Sequence, residues 1–140
     1  MGIRQLSVFV ENKKGSLHEI TDVLAKSGID LRSMCVADTS DYGIVRLIVN
    51  DPESAKDVLL AAGHTAKLRT VTAFAVPDVP GGLATVLSLL ESNGVNMEYL
   101  YALVTKTTGK AYAVTRTDDT EKAEKILAEN GIELLDENHI

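Results

Sequence analysis

The sequence predicts an α+β protein made of two copies of one small βαββαβ unit, each an antiparallel sheet with its helices on one face. Three observations predict it. A shift of 66 positions matches the chain to itself, pairing Gly15 with Gly81, Leu17 with Leu83, Leu24 with Leu90, Gly28 with Gly94, Thr39 with Thr105 and Gly43 with Gly109. After Val49 a shift of 68 takes over and pairs Ala55 with Ala123, Leu59 with Leu127 and Gly63 with Gly131. Within each half, period-two and helix-period hydrophobic patterns follow one another in the same order.

In the first copy Leu6, Val8 and Val10 alternate with polar or exposed positions, which predicts a half-buried strand. Leu17, Ile20, Val23 and Leu24 recur at helical spacing, and Gly28 ends the helix. Leu31–Ala37 reads as a second strand, Thr39–Gly43 as a turn, and Gly43–Val49 as a third strand rich in β-branched residues. Asp51-Pro52 is an N-cap followed by proline at the first helical position. That helix runs to about Ala62, Gly63 stops it, and Thr65–Arg69 is a short fourth strand.

The second copy repeats the plan. Val71–Val76 is a strand, Leu83–Ser92 a helix stopped by Gly94, and Met97–Thr105 and Ala111–Arg116 are strands. Thr120–Asn130 is the second helix, with a short strand around Glu133–Leu135. This order is the split βαβ, ferredoxin-like arrangement, with one sheet face left open unless a partner covers it. The domains are therefore 1–70 and 71–140. Between them, Thr65–Val76 carries no Gly, Pro or Asn. Either an extended segment passes straight through, or the chain turns without a sequence mark; a flexible linker is not expected.

Composition narrows the function. The chain has 140 residues, no Trp and 4% aromatics, so its cores are aliphatic. A net charge of -6 argues against nucleic acid, which needs clustered Lys and Arg. Residues 1–70 hold nine basic and nine acidic side chains against five and eleven in residues 71–140, so the acidic excess is confined to the second half. One cysteine, Cys35, excludes a disulfide framework and a cysteine metal cluster. No signal peptide or membrane-length apolar run is present, and a soluble cytoplasmic protein is expected. His18, His64 and His139 fall into no metal-ligand spacing, and no nucleophile elbow, phosphate loop or dinucleotide fingerprint occurs. The sequence thus predicts no enzyme, cofactor or metal.

Ligand chemistry points to the first strand–helix junction of each copy, Glu11-Asn12-Lys13-Lys14-Gly15-Ser16-Leu17 and Pro77-Asp78-Val79-Pro80-Gly81-Gly82-Leu83. A small residue ahead of a helix leaves backbone N–H groups unpaired, and the helix dipole adds positive potential, so a carboxylate or phosphate fits there. The plain alternative is a tight turn. After each helix stop come Gly28-Ile29-Asp30-Leu31 and Gly94-Val95-Asn96-Met97. Asn96 offers donor and acceptor together, which suits an α-amino acid.

Asp78-x-Pro80-Gly81-x-Leu83 followed by Gly94-Val95-Asn96 is similar to the signature of ACT domains, amino-acid-sensing modules of biosynthetic enzymes. Asn12-x-x-Gly15-x-Leu17 with Gly28-Ile29-Asp30 resembles the variant in regulatory subunits of acetohydroxyacid synthase. The resemblance spans the whole chain, twice. It implies an intrachain pseudo-dimer, paired through second strands, with the effector between the first-helix start of one unit and the second strand of the other. Carried onto this sequence, one site takes Asn12, Gly15, Ser16 and Leu17 with Asn96 and Met97. The pseudo-symmetric site takes Asp78, Gly81, Gly82 and Leu83 with Asp30 and Leu31. Asp30 departs from the common Asn and cannot donate when ionised, which favours the first site. The function implied is a non-catalytic regulatory module that binds a free amino acid, with a homo-oligomer or a regulated enzyme as partner. The alternative is a protein docking module with no metabolite ligand.

Overall fold

Alternating strand patterns and glycine-stopped helices resolve into seven strands and four α-helices among the described residues. The computed structural model describes residues 2–38, 41–104 and 109–140. Thr39 and Thr105, matched in the repeat, lie outside them. The elements are β1 (Ile3–Glu11), α1 (Ser16–Lys26), β2 (Leu31–Asp38), β3 (Tyr42–Val49), α2 (Pro52–Ala61), β4 (Thr65–Pro77), α3 (Gly82–Ser92), β5 (Met97–Leu103), β6 (Lys110–Thr117), α4 (Thr120–Glu129) and β7 (Leu134–Leu135). A 3₁₀ turn, Glu137–His139, follows, capped by the Asp136 side chain. Among the described residues, no helix is long and apolar enough to cross a membrane. Contacts divide the chain into Arg4–Thr70 and Val71–Ile140, the latter with the N-terminal residues through Ile3.

In the first unit the sheet order is β2-β3-β1-β4; in the second it is β5-β6-β4, with β7 on the far side of β4. Matched elements hold matched positions: β1 with β3, β2 with β3, β4 with β6 and β5 with β6 all pair antiparallel. β4 resolves the question of the junction. It is one unbroken strand from Thr65 to Pro77, where the sequence suggested two short ones. With no glycine, proline or asparagine before Pro77, nothing interrupts the extended backbone.

Strand register corrects one detail of the repeat. Met34 faces Leu47 and Leu100 faces Thr115, so the shift is already 66 on β2 and 68 on β3. The two extra residues of the second copy therefore fall between Leu103 and Tyr112, in the turn joining β5 and β6, and not after Val49. Gly109 occupies the place of Asp41: Asn12 N–H donates to Asp41 O as Asp78 N–H donates to Gly109 O. The Gly43–Gly109 match is a coincidence of composition, because Gly43 lies buried within β3.

Each unit has an aliphatic core between its helices and its sheet. In the first, Leu6, Val8, Val45, Leu47 and Val49 meet Ile20 and Leu24 of α1 and Ala55 and Leu59 of α2. In the second, Phe74, Val76 and Ala113 meet Val86, Leu90, Ala123 and Leu127. Each fully buried aliphatic side chain contributes about 1.5–3 kcal/mol. The sheet face away from the helices is buried at its centre as well. Gln5 and Ile48 are inaccessible in the first unit, and Tyr101, Leu103, Tyr112 and Val114 are buried in the second.

Candidate ligand-binding site

How the four helices begin separates two capped starts from two uncapped ones. Asp51 caps α2 by accepting from Ser54 N–H at 3.1 Å, and Asp119 caps α4 by accepting from Lys122 N–H at 3.1 Å. These bonds satisfy orphan donors of the first turn. Helices α1 and α3 have no such cap. Each is led by a left-handed glycine, Gly15 at φ 89° and Gly81 at φ 85°, with no side-chain hydrogen bond to the first turn. Only glycine takes that conformation at little cost, and it brings the chain into the helix with N–H groups exposed.

Both loops fold identically. Lys13 N–H donates to Glu11 O at 2.9 Å, as Val79 N–H donates to Pro77 O at 2.9 Å. Ser16 N–H reaches Lys13 O at 3.3 Å, and Gly82 N–H reaches Val79 O at 3.1 Å. Asn12, Leu17 and Asp78 are exposed, Ser16 and Leu83 half-buried, and Gly82 buried. Leu83 packs against the second core.

The strand starts are held by a device absent from the sequence reading. Asp30 N–H donates to Asn50 Oδ1 at 2.9 Å, and Asn50 N–H returns a bond to Asp30 O at 3.2 Å. In the second copy Asn96 N–H donates to Asp118 Oδ1 at 2.9 Å, and Asp118 N–H returns one to Asn96 O at 3.0 Å. Asn50 and Asp118 are thus matched residues, each just before a helix cap, and the 68-residue shift could have revealed them. The clasp fixes the main chain at residues 30 and 96 and leaves their side chains for other work. The Asp30 carboxylate sits 3.4 Å from Arg32 Nη1, whereas the Asn96 amide is exposed. Beside it Met97 is half-buried against the core and faces Thr117, whose buried hydroxyl has no hydrogen-bond partner among the described residues. Leu31 is 36% exposed.

Within one unit, loop and strand start do not meet. They lie at opposite ends of an 11-residue helix, about 16 Å apart at 1.5 Å per residue. A groove of about 430 Å³ runs along α1 past His18, Asp22, Asp30 and Leu31. Neither junction alone brings a loop and a strand start together.

This arrangement, two uncapped glycine-led helix starts on duplicated ferredoxin-like units, coincides with a family match over residues 1–140, to the ACT domain pair. The chain belongs to that family. Among solved structures it is similar to a Bacteroides thetaiotaomicron protein, with 39% identity, TM-score 0.90, and coverage of 96% of this chain and 92% of the other. It is also similar to the ligand-free regulatory subunit of aspartate kinase from Thermus thermophilus, with 17% identity, TM-score 0.68 and 94% coverage of both chains. The regulatory subunit from Thermus flavus gives 17% identity, TM-score 0.65 and 92% coverage of both. A search of curated proteins finds no match. The distant likenesses establish the shared fold, and the ACT domain pair is a regulatory module.

Proposed function

We propose that this ACT domain pair is a non-catalytic regulatory module whose ligand is a free amino acid. The observation that carries the reading is the contrast between its helix starts. Asp51 and Asp119 cap the two helices remote from the loops, while both loop helices are left open behind a left-handed glycine. A cap contributes about 1 kcal/mol, so two open starts at matched loops leave donors for an outside carboxylate. In the reading proposed, Asn12, Gly15, Ser16 and Leu17 take the ligand together with Asn96 and Met97. The site of Asp78, Gly81, Gly82 and Leu83 with Asp30 and Leu31 is weaker, because the Asp30 carboxylate is engaged by Arg32. The regulated partner is an enzyme or a second copy of the chain, in keeping with the likeness to regulatory subunits of aspartate kinase.

Isothermal titration against the twenty amino acids tests it. Binding in the micromolar to millimolar range, about −8 to −4 kcal/mol, is expected, and Asn96→Ala should weaken it roughly tenfold. Absence of any heat at millimolar ligand would sink the reading in favour of protein docking. One observation speaks for docking: Met34 and Val36, on the helix-side face of β2, are 44% and 41% exposed.

A further inference from the structure

Two asparagines stand directly before a glycine, Asn93-Gly94 and Asn130-Gly131, and they close α3 and α4 of the second unit. The matched ends in the first unit are Ser27-Gly28 and Ala62-Gly63, so the helix stop needs the glycine and not the asparagine. An Asn-Gly step is open to attack on the side-chain amide by the next backbone nitrogen. Glycine has no Cβ to shield that nitrogen or to restrict its approach, and asparagine is accordingly a thermolabile residue.

Both steps are held off this reaction in the same way. Asn93 has φ -100° and ψ 12°, Asn130 has φ -102° and ψ 17°, and the glycines follow at φ 72° and 74°. At such ψ the glycine nitrogen lies beside the asparagine's own N–H, turned away from Cγ. Asn93 Nδ2 donates to Leu89 O at 2.8 Å, and Gly94 N–H donates to Glu91 O at 2.9 Å. Asn130 Nδ2 donates to Ile126 O at 2.8 Å, and Gly131 N–H donates to Ala128 O at 3.2 Å. Reaction therefore waits on fraying of the helix end.

Two differences single out Asn93. Its side-chain bond runs to half-buried Leu89, whereas that of Asn130 runs to buried Ile126. Lys122 Nζ also stands 3.8 Å from where a Cβ of Gly94 would lie, while nothing stands within 4 Å of the same point at Gly131. Lys122 is exposed on the first turn of α4, and the matched residue of the first unit is Ser54. Its ammonium steadies negative charge on the Gly94 nitrogen as the proton leaves, and on the tetrahedral oxyanion that follows.

We infer that Asn93-Gly94, with Lys122 beside it, is a self-modification site at which the side-chain amide is converted to an acid. The Gly94 nitrogen loses its proton and bonds to Asn93 Cγ. The Cγ–Nδ2 bond breaks, and Nδ2 takes up a proton and leaves as ammonia. Water then opens the succinimide at one of its two carbonyls, giving aspartate or isoaspartate. One water is consumed, and no oxidant or reductant is needed. The product places a carboxylate at the negative end of the α3 dipole and deletes the donor to Leu89 O. As isoaspartate it also lengthens the main chain directly before Gly94-Val95-Asn96, the lead into β5.

The test incubates the full chain at mildly alkaline pH and follows it by peptide mapping, with Asn130 as the internal control. Asn93 should convert first. Lys122→Met should slow it about two- to fivefold, the worth of one exposed charge, and leave Asn130 unchanged. Asn93→Ser, the residue at the matched position, should abolish the first acidic form on isoelectric focusing. Mild urea should speed conversion at both steps by opening the helix ends. Conversion of Asn93 no faster than Asn130, or a rate indifferent to Lys122→Met, would overturn the assignment. So would a folded chain in which neither asparagine converts.

Discussion

Gly82 lacks a side chain where the matched Ser16 carries one, and Gly82→Ala puts a number on that difference. A Cβ there would stand 2.3 Å from Pro77 O and 3.3 Å from Pro77 C, both backbone atoms. Pro77 is paired with Lys110 across β4–β6, and its carbonyl accepts the Val79 N–H bond that shapes the loop. Neither atom can swing aside as a side chain would. Overpacking against fixed neighbours costs about 1–3 kcal/mol, and breaking the loop bond adds about 0.5–1.5 kcal/mol. A loss of about 1.5–4.5 kcal/mol is expected, and each kcal/mol is about 4–8 °C of melting temperature for a unit of about seventy residues. Two controls separate crowding from conformation. Gly81→Ala, with open space but φ 85°, should lose about 1–2 kcal/mol. Ser16→Ala, at the matched position that already bears a side chain, should stay within about 0.5 kcal/mol. Urea unfolding followed by far-UV circular dichroism reads all three. The reasoning fails if Gly82→Ala is no less stable than Gly81→Ala.

Asp118→Ala should lose about 0.5–1.5 kcal/mol by freeing Asn96 N–H, whereas Asp118→Asn, which keeps the acceptor, should match wild type; equal losses would refute the clasp. Asp119→Ala removes the cap of α4 and should lose about 1 kcal/mol in the same urea assay. In acid, the carboxyls of Asp22, Asp51, Glu133 and Asp136 are held below their ordinary values. The causes are hydrogen bonds from Lys26, Ser54, Lys110 and the Asn138 backbone respectively. Because the folded values are lowered, the unfolded chain binds more protons across that interval. Their contribution is complete above the ordinary carboxylate range and is lost as pH falls through the folded values. Lys110 is raised by the same Glu133 bond, so its share is present below the ordinary lysine value and lost as pH rises through the folded one. Lys110→Met should flatten part of the acid limb of a stability–pH curve.

The fold was legible because its signals are local. Asp51-Pro52 announces a cap, Gly15 and Gly81 announce left-handed turns, and helix-period leucines announce the two cores. What escaped the sequence was register and partnership. Chain order carries no trace of Met34 facing Leu47, so the repeat alone places the two extra residues after Val49, and the chance Gly43–Gly109 match points the same way. The continuity of β4 was left as one of two alternatives, since absence of a breaker does not by itself forbid a turn. The role of Asn50 and Asp118 is not legible in sequence, because an Asx residue before a helix reads as ordinary turn chemistry until its partner, 20 residues upstream in one copy and 22 in the other, is known. His64 looked isolated for the same reason: Glu19 is forty-five positions away in the chain yet 3.4 Å away in space.

The two clasps have an evolutionary corollary. Residues 30 and 96 contribute only main-chain atoms to them, and residues 50 and 118 need only a side-chain oxygen. Asn and Asp both satisfy the second demand, and almost any residue satisfies the first. The copies have in fact exchanged the pair, Asp30 with Asn50 in one and Asn96 with Asp118 in the other. An ancestor with amides at both positions could reach either arrangement through a single, structurally silent change. The charge presented at the second-strand start was thereby free to drift after duplication without cost to folding, giving selection a neutral path along which the two strand starts could become unequal.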